Sequence, residues 1–277
     1  MPKRFSTARG REFGDAVRAA LSATGMTARE ICEKIDWDPG KLSDLVNGKG
    51  GCSEVDLAVL LGFCRTPPDE REHLLTIYRE TDMKDWWQHH NGAPLPVRIR
   101  TFQEHLRTAS TFISWMPLLI PGLLQIADYV RALCLASATC PRDEVEQRVA
   151  ARMAMQQVFR QGLKCKFYIH EQALVLPVGG QDAMRTQLHH LLMMLVRPYI
   201  ELRVVPVDAG AHAGLCGSFE LMRFDRFEPM VFLEGENSNF IIERKDSVKD
   251  YEEILKALDR IALSAEESRE RISKLAT

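Results

Sequence analysis

Residues 26–49 read MTAREICEKIDWDPGKLSDLVNGK, and their punctuation divides them into two short helices. Thr27 and Glu30 have the spacing of a capping box, in which the Thr27 hydroxyl accepts the amide of residue 30 and the Glu30 carboxylate reaches back to the amide of residue 27. A helix therefore starts at residue 28, with Ile31 and Ile35 on its inner face. It stops near Asp36, because Asp38 is a good N-cap and Pro39 suits the first turn of a new helix. That next helix runs from Pro39 to about Val46 with Leu42 and Leu45 inward. It closes at Asn47-Gly48, which enters the left-handed region readily. Two short helices joined by a tight turn form a helix-turn-helix.

The flanking residues extend this pattern. Phe13, Val17, Ala20 and Leu21 fall on one helical stripe, which predicts a first helix from Phe13 that Gly25 ends. Ser53 with Asp56 caps a fourth helix expected to bury Val55, Val59, Leu60 and Phe63. A fifth follows TPPDE and carries Leu74, Leu75 and Tyr78. These helices define an N-terminal domain over residues 1–80. In a helix-turn-helix the earlier helix lies over the DNA backbone and the later one enters the major groove. Candidate phosphate contacts are Thr27, Ala28 and Arg29 at a helix start, where amides carry partial positive charge, and Asn47 and Lys49 beyond the next helix. Candidate base readers are Gly40, Lys41, Ser43 and Asp44, with Lys41 suited to guanine and Asp44 to a cytosine amino group. A plain helical bundle with the same residues in solvent is the alternative.

The chain has 277 residues, long enough for a small domain and a larger one. Hydrophobic residues make up 45% and charged residues 27%, a globular composition. A net charge of −2 exerts no global pull on polyanions. Residues 1–65 hold ten Lys/Arg against nine Asp/Glu, so DNA binding is expected to lean on dimerisation and on a basic arm of Lys3, Arg4, Arg9 and Arg11. Seven widely spaced cysteines without a Cys-x-x-Cys pair fit free thiols in a reducing compartment. No apolar run resembles a signal peptide or a span, so a cytoplasmic location with no membrane contact is expected.

Residues 81–99, rich in aromatics, Pro and Gly, read as a connector, and 100–277 as an α+β domain. Helices are expected over 100–112, 121–137, 142–159, 181–196 and 247–262. Strands are expected over 163–170, 199–207, 217–224, 229–235 and 239–243, forming a mostly antiparallel sheet. SAEE at 264–267 is another capping box. His89-His90 and His189-His190 are adjacent pairs and lack metal-ligand spacing, so neither a metal nor a cofactor is expected. Leu188, Leu191, Leu192, Met194 and Leu195 form a core stripe, with Met193 and Met194 possible pocket walls. The loop DAGAHAGLCG (208–217) places His212 and Cys216 together, either as a ligand or partner loop or as a Cys–His nucleophile pair. The first of these is preferred, since no third group is visible, and no enzyme is expected.

The segment 26–49 resembles the helix-turn-helix of XRE-family (phage-repressor-like) transcriptional regulators. Thr27, Glu30, Ile31, Ile35, Leu42, Ser43, Leu45, Asn47 and Gly48 stand where that pattern wants them. The usual Gln, turn Gly and Glu are replaced by Ala28, Asp36 and Val46. Residues 117–133, 202–224 and 262–272 resemble the domain of unknown function carried by the actinobacterial WhiJ-like, antitoxin-like regulators. The resemblance implies a homodimeric regulator, acting as a repressor, that binds a palindromic operator in double-stranded DNA and answers to a small partner protein or small-molecule effector. The alternative it implies is an antitoxin-like module that neutralises a small partner and uses DNA binding for autoregulation.

Overall fold

A computed structural model describes residues 7–79, 86–89, 95–235 and 238–277. The chain divides into two compact units at Trp86–Trp87. The first is all helical: α1 (Ala8–Ala23), α2 (Ala28–Ile35), α3 (Pro39–Val46), α4 (Glu54–Phe63) and α5 (Pro68–Arg79). Phe13, Val17, Ile31, Leu45, Leu60 and Leu74 are among the side chains of its core. Four of these helix starts follow from a side-chain cap. Thr27 and Glu30 form the full capping box of α2, Asp38 accepts from the amides of Gly40 and Lys41 at α3, and Ser53 with Asp56 forms the box of α4.

Two expectations for this unit are corrected. Helix α1 begins at Ala8, not Phe13, because the Thr7 hydroxyl caps it by accepting the Gly10 amide at 2.9 Å. Arg9 and Arg11 are therefore helical, and Arg11 is buried, so they form no arm; Lys3 and Arg4 lie outside the described residues. In α4 the buried stripe is Leu57, Leu60 and Leu61, while Val55 and Val59 face solvent. The helix EVDLAVLLGF is apolar nearly all round, so its periodicity could not choose a face.

The second unit is built on β1 (Trp86–His89), α6 (Leu95–Thr108), β2 (Thr111–Met116), α7 (Ala127–Ala136), α8 (Val145–Met155), β3 (Lys164–His170), α9 (Gln172–Val175), α10 (Gln181–Met194), β4 (Ile200–Val205), β5 (Phe219–Arg223), β6 (Met230–Glu234), β7 (Ser238–Ile242), α11 (Lys245–Ile261) and α12 (Ala265–Ala276). The sheet order is β1-β7-β6-β5-β2-β3-β4. Strands β2, β3 and β4 are parallel neighbours, and β2-β5, β5-β6 and β6-β7 are antiparallel. The sheet is thus mixed, its direction switching between β2 and β5, and the whole chain is an all-helical domain followed by an α+β domain. The expected helix over 100–112 ends at Thr108, and the residues beyond enter the central strand β2. Phe112, Ile113, Ser114 and Trp115 are all buried, so this strand shows none of the apolar–polar alternation that would announce it. The residues expected to be a connector include β1 and the start of α6; the side chains of Trp86, Trp87 and His89, and all of His90, lie outside the described residues.

Helices cover both faces of the sheet. On one, Phe102 of α6 packs against Phe112 and Phe232. On the other, Val248, Leu255 and Leu258 of α11 join Ile113, Trp115 and Leu221. The open edge of β4 is blocked: the Val204 amide donates to Ser268 Oγ at 2.9 Å, and the Leu263 amide donates to the Val204 carbonyl at 2.8 Å. These two bonds take up the outward amide and carbonyl of Val204 on that edge.

Candidate nucleic-acid interface

The turn between α2 and α3 depends on one residue. Asp36 caps α2 at φ 55° and ψ 48°, in the left-handed region that Asp enters more readily than most side chains. Beyond α3, Gly48 is also left-handed, at φ 65°. There α1 and α3 approach so closely that a Cβ on Gly10, Gly14 or Gly48 would overlap backbone of the other element. Arg18 of α1 adds a polar tie, its Nη2 donating to the Val46 carbonyl at 2.6 Å, close to the end of α3. With Leu42 and Leu45 buried, α3 turns its opposite face outward.

On that face Gly40, Ser43 and Asn47 are exposed, and Asp44 is half-buried. The Asn47 amide donates to the Ser43 carbonyl at 2.7 Å, which leaves its carbonyl oxygen to accept from a ligand. Lys41 points elsewhere. Its Nζ lies 2.9 Å from Asp56 and 4.3 Å from the centre of the Trp37 ring. The Lys41 hydrogen bond is the largest cause, with Ser53 behind it, that holds the Asp56 carboxyl down at about 2. The lysine expected to read guanine is therefore drawn toward the start of α4. Trp37 and Asp56 set its position, and no local pattern in the sequence announces that pairing.

Thr27, Ala28 and Arg29 are all exposed at the start of α2. The Glu30 carboxylate takes the Thr27 amide at 2.8 Å and is held below its usual range by its bonds to Thr27. Arg29 pairs loosely with Glu33 at 3.1 Å, both side chains largely in solvent. The amides of Ala28 and Arg29 have no helical partner by construction, so this end of α2 can meet a phosphate. The corresponding amides of α3 are already consumed by Asp38. Lys49 is exposed just past α3.

In the second unit, the loop after β4 keeps its two candidates apart. His212 stacks on His170, with ring centroids 5.7 Å apart, and meets Trp115 edge-on at 5.4 Å. Its Nδ1 accepts the Gly214 amide at 3.1 Å, and its buried Nε2 has no partner among the described residues. Burial, with the neighbouring His170 second, lowers its affinity for a proton. Trp115 Nε1 donates to the Gly214 carbonyl at 2.8 Å and pins the loop. Cys216 is exposed, and neither ring nitrogen of His212 bonds its thiol, so the two form no nucleophile–base pair. All seven cysteines are free.

On α10, Leu188, Leu191 and Met194 are buried, Leu192 and Leu195 half-buried, and Met193 exposed. His189 is exposed and His190 half-buried. Among the described residues no group of three or more His, Cys, Asp or Glu is placed to hold a metal ion, and no helix is long and apolar enough to cross a membrane.

Comparison with known families bears on both units. A family model described as a helix-turn-helix domain matches residues 12–74, and one described as a domain of unknown function (DUF5753) matches residues 99–274. No curated protein matches the chain.

Proposed function

We propose, for a chain that belongs to the DUF5753 family and carries a helix-turn-helix domain ahead of that domain, the function of a sequence-specific, dimeric DNA-binding regulator whose larger domain receives a signal. The helix-turn-helix marks a DNA-binding regulator. In that role it acts as a repressor that binds as a dimer and answers to a signal. The observation that carries the reading is the exposed face of α3 beside a helix start whose amides are open. The start of α2, with Arg29, takes one phosphate and Lys49 another, while α3 lies in the major groove.

Ser43 and the free carbonyl of Asn47 are the direct readers in this reading, and Gly40 lets the backbone come close. Asp44 lies at the margin of the face. Lys41 joins only if a guanine or phosphate draws it from Asp56. The larger domain, residues 100–277 in this reading, is the switch: a ligand or partner acts through unequal affinity for DNA-competent and DNA-incompetent states.

The test is a genome-fragment pull-down with the purified protein, followed by titration of the enriched fragment with Ser43→Glu at fixed salt. Ser43 is exposed, so the variant keeps its melting temperature while losing about 1–3 kcal/mol or more of binding. No enriched fragment, or equal binding by Ser43→Glu, overturns the reading.

A further inference from the structure

The sheet changes direction beside β2, which has β3 parallel on one side and β5 antiparallel on the other. Three polar groups gather at that place. Ser114 on β2 is directly opposite Glu220 on β5, so both project from the same face. Ser114 is fully buried and its hydroxyl bonds nothing among the described residues; Glu220 is only 8% exposed. Glu220 in turn pairs with Phe232 of β6, and Glu234, two residues on, lies on the same face at the end of that strand. The third group is Arg152 of α8, whose guanidinium lies against Gly122 in the segment leaving the carboxyl end of β2, so closely that a Cβ on Gly122 would overlap it.

Among the described residues, Ser114, Glu220 and Arg152 make no side-chain hydrogen bond or ion pair, although Arg152 is near enough to Glu220 to act on it electrostatically. Buried polar groups are nearly always bonded, so the Ser114 hydroxyl and the Glu220 carboxyl, left without partners near the half-exposed guanidinium of Arg152, are complementary to a molecule that supplies the missing bonds.

We propose that this cluster at the carboxyl end of β2 is the effector site of the larger domain, and that it binds a small zwitterion of the α-amino-acid class. The ammonium group lies between Glu220 and Glu234, the carboxylate meets Arg152, and the Ser114 hydroxyl bonds either. The proposal rests on the signal-receiving reading of this domain, and it names the chemistry of the signal. Burial raises the Glu220 carboxyl to about 8, with Glu234 adding to the effect and Arg152 opposing it. Glu220 therefore carries a proton at neutral pH, and a bound ammonium expels that proton to solvent.

The experiment is calorimetric titration of the full-length protein with the free α-amino acids, in two buffers of different ionisation enthalpy. Each ligand is compared with its decarboxylated amine and its N-acetylated form. At least one amino acid binds saturably with proton release. Both analogues bind about tenfold more weakly or worse, as expected for loss of a charge-assisted bond. Arg152→Gln, at a half-exposed position, keeps the fold and removes the preference over the amine; Glu220→Gln removes the proton release. If no amino acid binds, or if binding is unchanged in Arg152→Gln, the site is overturned while DNA recognition stands. If an amino acid binds at this site without altering operator affinity, the site stands and the signal-receiving reading falls.

Discussion

A single carboxyl makes this fold sensitive to pH. Glu220, pushed up from an ordinary 4.5 to about 8 by burial, holds a proton in the folded chain that the unfolded chain has released. Its contribution to stability is complete below about 4.5 and is lost as the pH rises to about 8. Glu234 and Arg152 are the charges that face it. Glu220→Gln removes the titration and leaves both in place. The difference in melting temperature between variant and parent should grow in the variant's favour across this window; a constant difference would show that Glu220 does not titrate there. A second residue-scale test concerns Lys41. Asp56→Asn keeps a capping side chain on α4 but releases the lysine, so a DNA titration against salt should steepen by roughly one unit of logarithmic slope. An unchanged slope would place Lys41 outside the DNA contact.

At the scale of elements, the approach of α1 to the end of α3 fixes the recognition helix. Gly14 faces the Val46 carbonyl with no room for a Cβ. Ala has the higher helix propensity, by about 1 kcal/mol, so a free helix would gain from Gly14→Ala. In this packing the change should instead cost about 1–3 kcal/mol through overpacking, read as a lower denaturant midpoint of the N-terminal unit. A rise in that midpoint would mean that α1 can move off α3. The contrast explains what could be read from the residues. Helix caps are local chemistry, so α2, α3 and α12 start where Thr27, Asp38 and Ser264 place them. The burial of α4 depends on partners distant in sequence, and an all-apolar helix offers two possible faces. Strand β2 has neighbours on both sides and helices on both faces, so its residues carry no alternation. The cluster of Ser114, Arg152 and Glu220 combines three elements and has no motif; the one local trace is an acid inside the apolar run SFELMRF (218–224). The Lys41–Asp56 pair likewise joins two helices.

For the whole molecule, the near-balance of charge in the N-terminal unit decides how it must bind. Ten basic residues against nine acidic over residues 1–65 give little of the sequence-independent attraction that carries most non-specific affinity. A recognition face built from Ser43, Asn47 and Gly40 makes few strong base contacts, so one copy alone should hold DNA weakly. Two copies on one duplex convert the second contact into an intramolecular event and raise the overall affinity by about 10²–10⁴ when the geometry permits it. The proposed dimer therefore requires two half-sites about 34 Å apart, one duplex turn, or a multiple of it. Inserting roughly five base pairs, half a turn, between the half-sites turns one of them to the opposite side of the duplex. Binding should then fall to the level of a single half-site, and a further insertion of the same length should restore much of it. Gel-shift titration of the three spacings decides the matter, because a monomer reading one site would bind all of them alike.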